Sequence, residues 1–314
     1  MSSLLIDRRG VELDYGNDCL IVRHESVGAR SVPMRGLERV VCMHNVVLGT
    51  RVIGQFQRFG IDFIALNSRS SERSFAVHAA HAKQAGRRVI QYQTQQATPA
   101  RMELARRLVA LKLLASIRAV GRNQPVMVDS LRRLMVLARG AQNMDSLRGF
   151  EGIAQRNVFA HWRGLLPPRL GFEQRRRRPP PDPVNAVLSL SYGLAYHEAI
   201  RQCMRSGLDP WLGVYHALAP GRHSLACDLI EPLRPRIEKW VVELFCSGCL
   251  DRRHFSTRDG QCLLGKAGRS VYYHEWHAVL PQWTRRLRHY ARRLSAHLDS
   301  LAACEHTRSE PDDA

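Results

Sequence analysis

Residues 98–118 read TPARMELARRLVALKLLASIR, and this stretch sets the fold class. Thr98 can cap a helix, and Pro99 suits a first turn, where its missing N–H costs nothing. Leu104, Leu108, Leu111 and Ala115 then recur at helical spacing, which places Arg106, Arg107, Lys112 and Arg118 on other faces. The same texture continues over 131–138, 147–162, 184–204, 226–245 and 283–301. Upstream the pattern changes. Residues 3–6 form a short apolar run, 11–15 alternate, Gly16-Asn17 marks a turn and 20–22 returns. Residues 40–43 and 61–66 are further strand candidates, while 50–59 has helical spacing through Val52, Ile53, Phe56 and Phe59. Residues 67–73 read as a loop. The expected architecture is α+β: a β domain over 1–75, a linker over 76–95, a larger all-helical domain over 96–304 and a polar, disordered tail over 305–314.

Charge is the loudest global feature. Lys and Arg number 47 against 28 Asp and Glu, a net +19 over 314 residues. Acids are too few to pair the excess, so the field attracts polyanions, nucleic acid first and an anionic membrane surface second. A basic surface that only solubilises is the plain alternative. No apolar run reaches the ~18 residues needed to span a bilayer. Residues 1–9 lack the apolar core of a secretory signal, so the expected address is the cytoplasm. The eight cysteines are scattered, unlike a disulfide framework, and are expected to be reduced.

The densest chemistry lies in residues 216–231, HALAPGRHSLACDLIE. His216 falls on a loop, because Pro220-Gly221 follows. Ser224 can cap a helix, and Asp228 and Glu231 then share one face. One imidazole with two carboxylates suits Mg²⁺ or Mn²⁺, the nitrogen favouring Mn²⁺. Alternatively, the acids serve the helix dipole and His216 is an ordinary bonded histidine. Glu151 stands between Gly149 and Gly152, each costing a helix about 1 kcal/mol. Close approach of a ligand or a helix would justify that cost; a surface glutamate after a turn is the alternative. Arg175, Arg176, Arg177 and Arg178 precede Pro179–181 and form a stiff basic arm, read as phosphate contacts or as a solvated charge run. Asp182-Pro183 reads as a helix N-cap followed by a first-turn proline. Cys246-x2-Cys249, His254 and Cys262 approach zinc spacing, but only one CxxC pair is present, so zinc at Cys246 and Cys249 stays open. His274-Glu275-Trp276-His277 does not match HExxH.

Three ordered stretches resemble one family. They are 147–152 (LRGFEG), 177–186 (RRPPPDPVNA), and 213–216 (GVYH) continuing through 221–225 (GRHSL) to 228–235 (DLIEPLRP). Residues 37–41 and 60–64 add to the likeness, which covers nearly the whole chain. The family is the first-numbered CRISPR-associated protein, the integrase of spacer acquisition. The resemblance implies an N-terminal β-sandwich, a helical catalytic domain, a homodimer and a small ferredoxin-like CRISPR-associated partner. It implies metal ligation by Glu151, His216 and Glu231, with Asp228 beside the metal. Asn185 and Tyr192 match positions on a helix bordering the site, as DNA or site contacts, with core packing the alternative for Tyr192. Phe150 and Cys227 depart from the family pattern where residue type varies, and the effect of His223 is open.

The implied activity is metal-dependent endonuclease and integrase chemistry on double-stranded and branched DNA, with a 3′-hydroxyl attacking repeat phosphodiesters. The alternatives are a structure-selective nuclease for branched DNA outside CRISPR immunity and a non-catalytic basic DNA scaffold.

Overall fold

The computed structural model describes residues 2–66, 74–79, 85–177 and 179–309, with side chains to Leu301. Two compact units make up the chain, Met1–Ala82 and Lys83–Ala314.

In the first unit the chain runs β1 (Ser2–Ile6), β2 (Val11–Gly16), β3 (Cys19–His24), β4 (Gly28–Pro33), β5 (Leu37–Cys42), β6 (Val46–Leu48), α1 (Thr50–Phe59), β7 (Asp62–Ala65) and β8 (Phe75–Val77). These strands build two four-stranded sheets, ordered β1-β5-β7-β8 and β4-β3-β2-β6. The β2–β3 hairpin turns on Asn17 and Asp18, both left-handed (φ 51° and 56°), the tight-turn geometry that short polar residues tolerate. Alternation buries Val11 and Leu13 and exposes Glu12. Leu13 and Leu20 from one sheet, Val40 and Phe63 from the other, and Phe56 from α1 share one core. The sandwich expectation holds. The loop expected over 67–73 lies outside the described residues.

The second unit begins earlier than the sequence suggested. In place of a linker over 76–95, β8 pairs with β7, and α2 (Ala85–Gln96) is helical. α2 lacks an apolar stripe because it docks through polar groups. Gln91 Nε2 donates to the Asp209 carbonyl at 2.8 Å, and Gln91 Oε1 accepts from the Asp209 N–H at 2.9 Å. Then come α3 (Thr98–Val120), α4 (Pro125–Gly140), α5 (Met144–Leu165), α6 (Pro183–Arg205), α7 (Ser224–Ile230), α8 (Arg234–Cys246), a hairpin of β9 (Phe255–Arg258) and β10 (Gln261–Leu264), and α9 (Lys266–Ser309).

Five details depart from expectation. Thr98 is the first helical residue of α3 rather than its cap. The buried face of α3 carries Met102, Ala105, Val109, Lys112 and Ser116, while Leu111 is exposed. The helix expected over 226–245 breaks after Ile230, and α8 restarts with Pro235 in its first turn, where proline is tolerated. The domain is also not wholly helical. Asp259 and Gly260 (φ 51° and 71°) turn the β9–β10 hairpin, a strong Asp-Gly signal. α9 continues past 304 to Ser309, and residues 310–314 lie outside the described residues. Asp182 caps α6 as expected, accepting from the Asn185 N–H at 2.8 Å.

Candidate active site

Asp228 organises the site. It lies on α7 and is 1% exposed. Its Oδ2 accepts from the backbone N–H groups of Val214 (2.6 Å) and Tyr215 (3.0 Å), and its Oδ1 from that of His216 (3.0 Å). The incoming loop must therefore lie hard against α7. A Cβ at Gly213 would stand 2.8 Å from Ser224 Cβ and 2.9 Å from Asp228 Oδ2, so only glycine fits without movement. Ser224 does not cap α7, since His223 holds that position; its hydroxyl instead donates to the Ala217 carbonyl at 2.8 Å. His223 is used locally, with Nδ1 2.8 Å from the Tyr196 hydroxyl and its ring 4.0 Å from that of Trp211.

Asp228 Oδ1 also lies 2.6 Å from His216 Nδ1. The Asp228 carboxylate accepts this bond as it accepts the backbone N–H groups, so His216 donates from Nδ1. Nε2 faces Glu231 Oε1 at 3.8 Å, beyond hydrogen-bond reach.

Glu231 sits where α7 ends and is 5% exposed. Its Oε2 accepts from Lys112 Nζ at 2.6 Å, and its Oε1 is 2.8 Å from Arg234 Nε. Lys112, from α3, also donates to Glu151 Oε1 on α5, so one ammonium joins both carboxylates. Burial alone would raise the Glu231 carboxyl pKa, but Arg234, Lys112 and His216 outweigh it and hold the group down at about 2. Burial pulls the Lys112 pKa down, but Glu231 and Glu151 overcome that and raise it. Behind this layer the Arg234 guanidinium lies 4.6 Å from the Tyr192 ring centre. The Tyr192 hydroxyl donates to Glu238 Oε1 at 2.7 Å, as does Gln155 Nε2 at 3.1 Å. Burial raises the Glu238 carboxyl pKa despite these donors.

The profile described as CRISPR associated protein Cas1 matches residues 4–278. The chain belongs to the Cas1 family. A CRISPR-associated endonuclease Cas1 of Thermodesulfovibrio yellowstonii is 31% identical over 321 residues, covering 96% of this chain and 100% of that one. A solved Cas1 protein from Thermotoga maritima shares the fold at TM-score 0.87 and 21% identity, over 95% of this chain and 97% of that one. A casposase solved on an integration product does so at TM-score 0.84 and 18% identity, over 96% and 91%.

Of the residues singled out from the Cas1 resemblance, the fold bridges Glu151 and Glu231 through Lys112, sets His216 beside Glu231 and Asp228 behind His216, with Tyr192 just behind through Arg234. It treats the basic arm differently. Arg175 turns inward, donating to Asn185 Oδ1 (2.8 Å) and Ser189 Oγ (3.0 Å). Asn185 has no exposed surface. Its Oδ1 also accepts from the Arg176 N–H, and its Nδ2 donates to the Gln174 carbonyl and Asp182 Oδ2. Both residues fix the base of the arm, so neither is free for the DNA contact expected of it. Arg176 and Arg177 are exposed, and Arg178 lies outside the described residues. The glycines beside Glu151 have no close neighbour either: a Cβ at Gly149 or Gly152 would meet nothing within 4 Å. Cys246 and Cys249 are exposed and Cys262 is buried, while His254 Nδ1 is taken by the Asp251 N–H at 3.1 Å.

Sequence reasoning missed Lys112 and Arg234. The long leucines of α3 make the more conspicuous helical stripe and put Lys112 off it, on an outer face. The true stripe is smaller, Ala105-Val109-Lys112-Ser116 at 4-3-4 spacing, and that register was the available signal.

The donor set fits a divalent cation. Two carboxylates and an imidazole bonded through Nδ1, with Nε2 turned toward Glu231, suit Mg²⁺ or Mn²⁺, and Asp228 is placed as the outer carboxylate that would orient a ligating histidine. A positive charge already sits between Glu151 and Glu231, borne by Lys112. Among the described residues no three His, Cys, Asp or Glu close into a ready-made metal cluster, and Lys112 stands between the two carboxylates.

Proposed function

We propose that this chain is a metal-dependent DNA endonuclease and integrase that inserts new spacer DNA into CRISPR arrays. In the reaction a 3′-hydroxyl oxygen gives its proton to solvent and bonds to a repeat phosphorus, and the repeat strand's own 3′-oxygen leaves and takes a proton from solvent to become a 3′-hydroxyl. The observation that carries the reading is the meeting of Glu151, Glu231 and His216 from separate elements, in a Cas1-family chain whose curated relatives bear the name endonuclease.

Glu151, His216 and Glu231 would hold Mg²⁺ or Mn²⁺. When bound, such an ion polarises the phosphate and offsets charge on the attacking and leaving oxygens. Asp228 holds the imidazole in one tautomer and one orientation. Arg234 keeps Glu231 ionised and in place. Exposed Arg176 and Arg177 would contact phosphates, in binding that is largely sequence-independent and weakens with salt. The +19 charge favours the same polyanion. We infer in addition a homodimer acting with a small ferredoxin-like CRISPR-associated partner in the cytoplasm. No helix among the described residues is long and apolar enough to cross a membrane.

Glu151→Ala and His216→Ala should each abolish strand transfer into a repeat substrate while leaving duplex binding within a few-fold, on the order of 1 kcal/mol. Retained transfer in both variants refutes the assignment. DNA binding with no product, with or without added metal, favours a scaffold that only binds DNA; product that survives EDTA refutes the metal dependence, and EDTA-sensitive cleavage without any joined product favours the branched-DNA nuclease.

A further inference from the structure

Lys112 has no role in the function above, yet it is the most constrained cation in the site. It is 5% exposed, and its ammonium bonds at once to Glu151 Oε1 and Glu231 Oε2. A lysine is seldom fully buried unless paired, and here its position is the gap between the two carboxylates read as metal ligands. The carboxylates come from α5 and the end of α7, and the lysine from α3. The ammonium thus neutralises two acids that would otherwise repel each other in a water-poor setting.

We propose that Lys112 and the divalent cation compete for the Glu151–Glu231 pair: the ammonium holds the carboxylates together in the metal-free protein, and metal entry displaces it. The proposal rests on the reading of this site as a metal centre. Its physical basis is exclusion by charge and by space. An ion bonded to those carboxylates and a lysine ammonium hydrogen-bonded to the same oxygens would lie a few ångströms apart, where like charges in a poorly solvated site repel strongly. Each cation satisfies the acids alone, and together they do not. Two consequences follow. The fold does not depend on metal, because Lys112 already satisfies the acids. Metal affinity is lower than the donors alone would give, because binding must first expel a bonded ammonium.

The test is Mn²⁺ binding to the full-length protein, by calorimetry and by the loss of the free-ion electron paramagnetic resonance signal. The proteins are the unaltered chain and the Lys112→Gln, Lys112→Arg and Glu151→Gln variants. Lys112→Gln keeps a hydrogen-bond donor and removes the charge, and should bind Mn²⁺ on the order of ten- to a hundred-fold more tightly. Lys112→Arg keeps the charge and should bind no more tightly than the unaltered protein. Lys112→Gln should also melt at a lower temperature in EDTA and recover in Mn²⁺, whereas Mn²⁺ should raise the melting temperature of the unaltered protein by less. If Lys112→Gln folds only when Mn²⁺ is present, that rescue supports the proposal; failure of Mn²⁺ to rescue it overturns the proposal. Unchanged or weaker Mn²⁺ binding by Lys112→Gln, with binding lost in Glu151→Gln, overturns the competition and leaves the metal centre standing. No Mn²⁺ binding by either the unaltered protein or Lys112→Gln overturns both.

Discussion

Replacing Asp228 with Asn keeps its shape and removes its charge, and the structure says what that costs. Asp228 accepts four contacts on two oxygens: the Val214 and Tyr215 N–H groups on one, the His216 N–H and Nδ1 on the other. An amide offers one acceptor oxygen. In either orientation its NH₂ faces two donors, so two N–H groups in a largely buried loop lose their partner. Each such loss costs about 1–3 kcal/mol. Val214 is partly exposed and can recover some of its loss from water, so the expected total is about 3 kcal/mol. For a unit of this size that is a fall of roughly 6–12 °C in Tm. Urea melts of Asp228→Asn beside Asp129→Asn would measure it. Asp129 is an exposed helix residue whose carboxylate pairs with the exposed Arg132, so its change should stay within about 0.5 kcal/mol. The imidazole would also lose the carboxylate that fixes its tautomer, and turnover should fall about 10- to 100-fold. A variant as stable as the Asp129 control would show that Asp228 does not anchor the 213–216 loop.

Other consequences follow from the same geometry. Gly213→Ala forces a Cβ into Ser224 and should cost about 1–3 kcal/mol in chemical denaturation, whereas Gly149→Ala, with open space around it, should be neutral or stabilising. Glu231 is held near 2 in the folded chain, below its unfolded value near 4.5. Its contribution should be fully present above that unfolded value and fade as pH falls toward 2. The stability gap between the unaltered protein and Glu231→Gln, measured by urea melts from pH 6 to 3, should therefore narrow with acid. Neutralising Arg176 and Arg177 together should reduce the slope of log K against log salt in DNA binding by up to about 2. Arg175→Gln should instead lower stability, since that side chain is bonded inward.

The strands that carry the first unit's core were legible because period-2 patterning is strong there, as in 11–15 and 20–22. The long helices were legible in outline. What the pattern hid was polar burial. α2 docks through Gln91, Thr94 and Arg87 rather than through an apolar stripe, so it read as a linker. In α3 the small residues face inward and a leucine faces out, so Lys112 was placed on the wrong side. The acids and the imidazole were visible as residue types, but spacing alone left them balanced against capping and packing; the ordered motifs resolved that. Arg175 and Asn185 show the converse. A charge run and a conspicuous polar residue look like ligand contacts, yet the first arginine of the run and the asparagine are bonded to each other and to their neighbours. The β9–β10 hairpin carries its signal in Asp259-Gly260, but its strands are only four residues each, too short for a pattern to stand out.

The central claim is that one cation is shared by three side chains from different elements. Anomalous diffraction at the manganese edge, on crystals equilibrated with Mn²⁺, tests it directly. The account predicts a single strong peak within about 2.5 Å of a Glu151 oxygen, a Glu231 oxygen and His216 Nε2. A peak held by other side chains, or none in protein that still joins DNA strands, would contradict it.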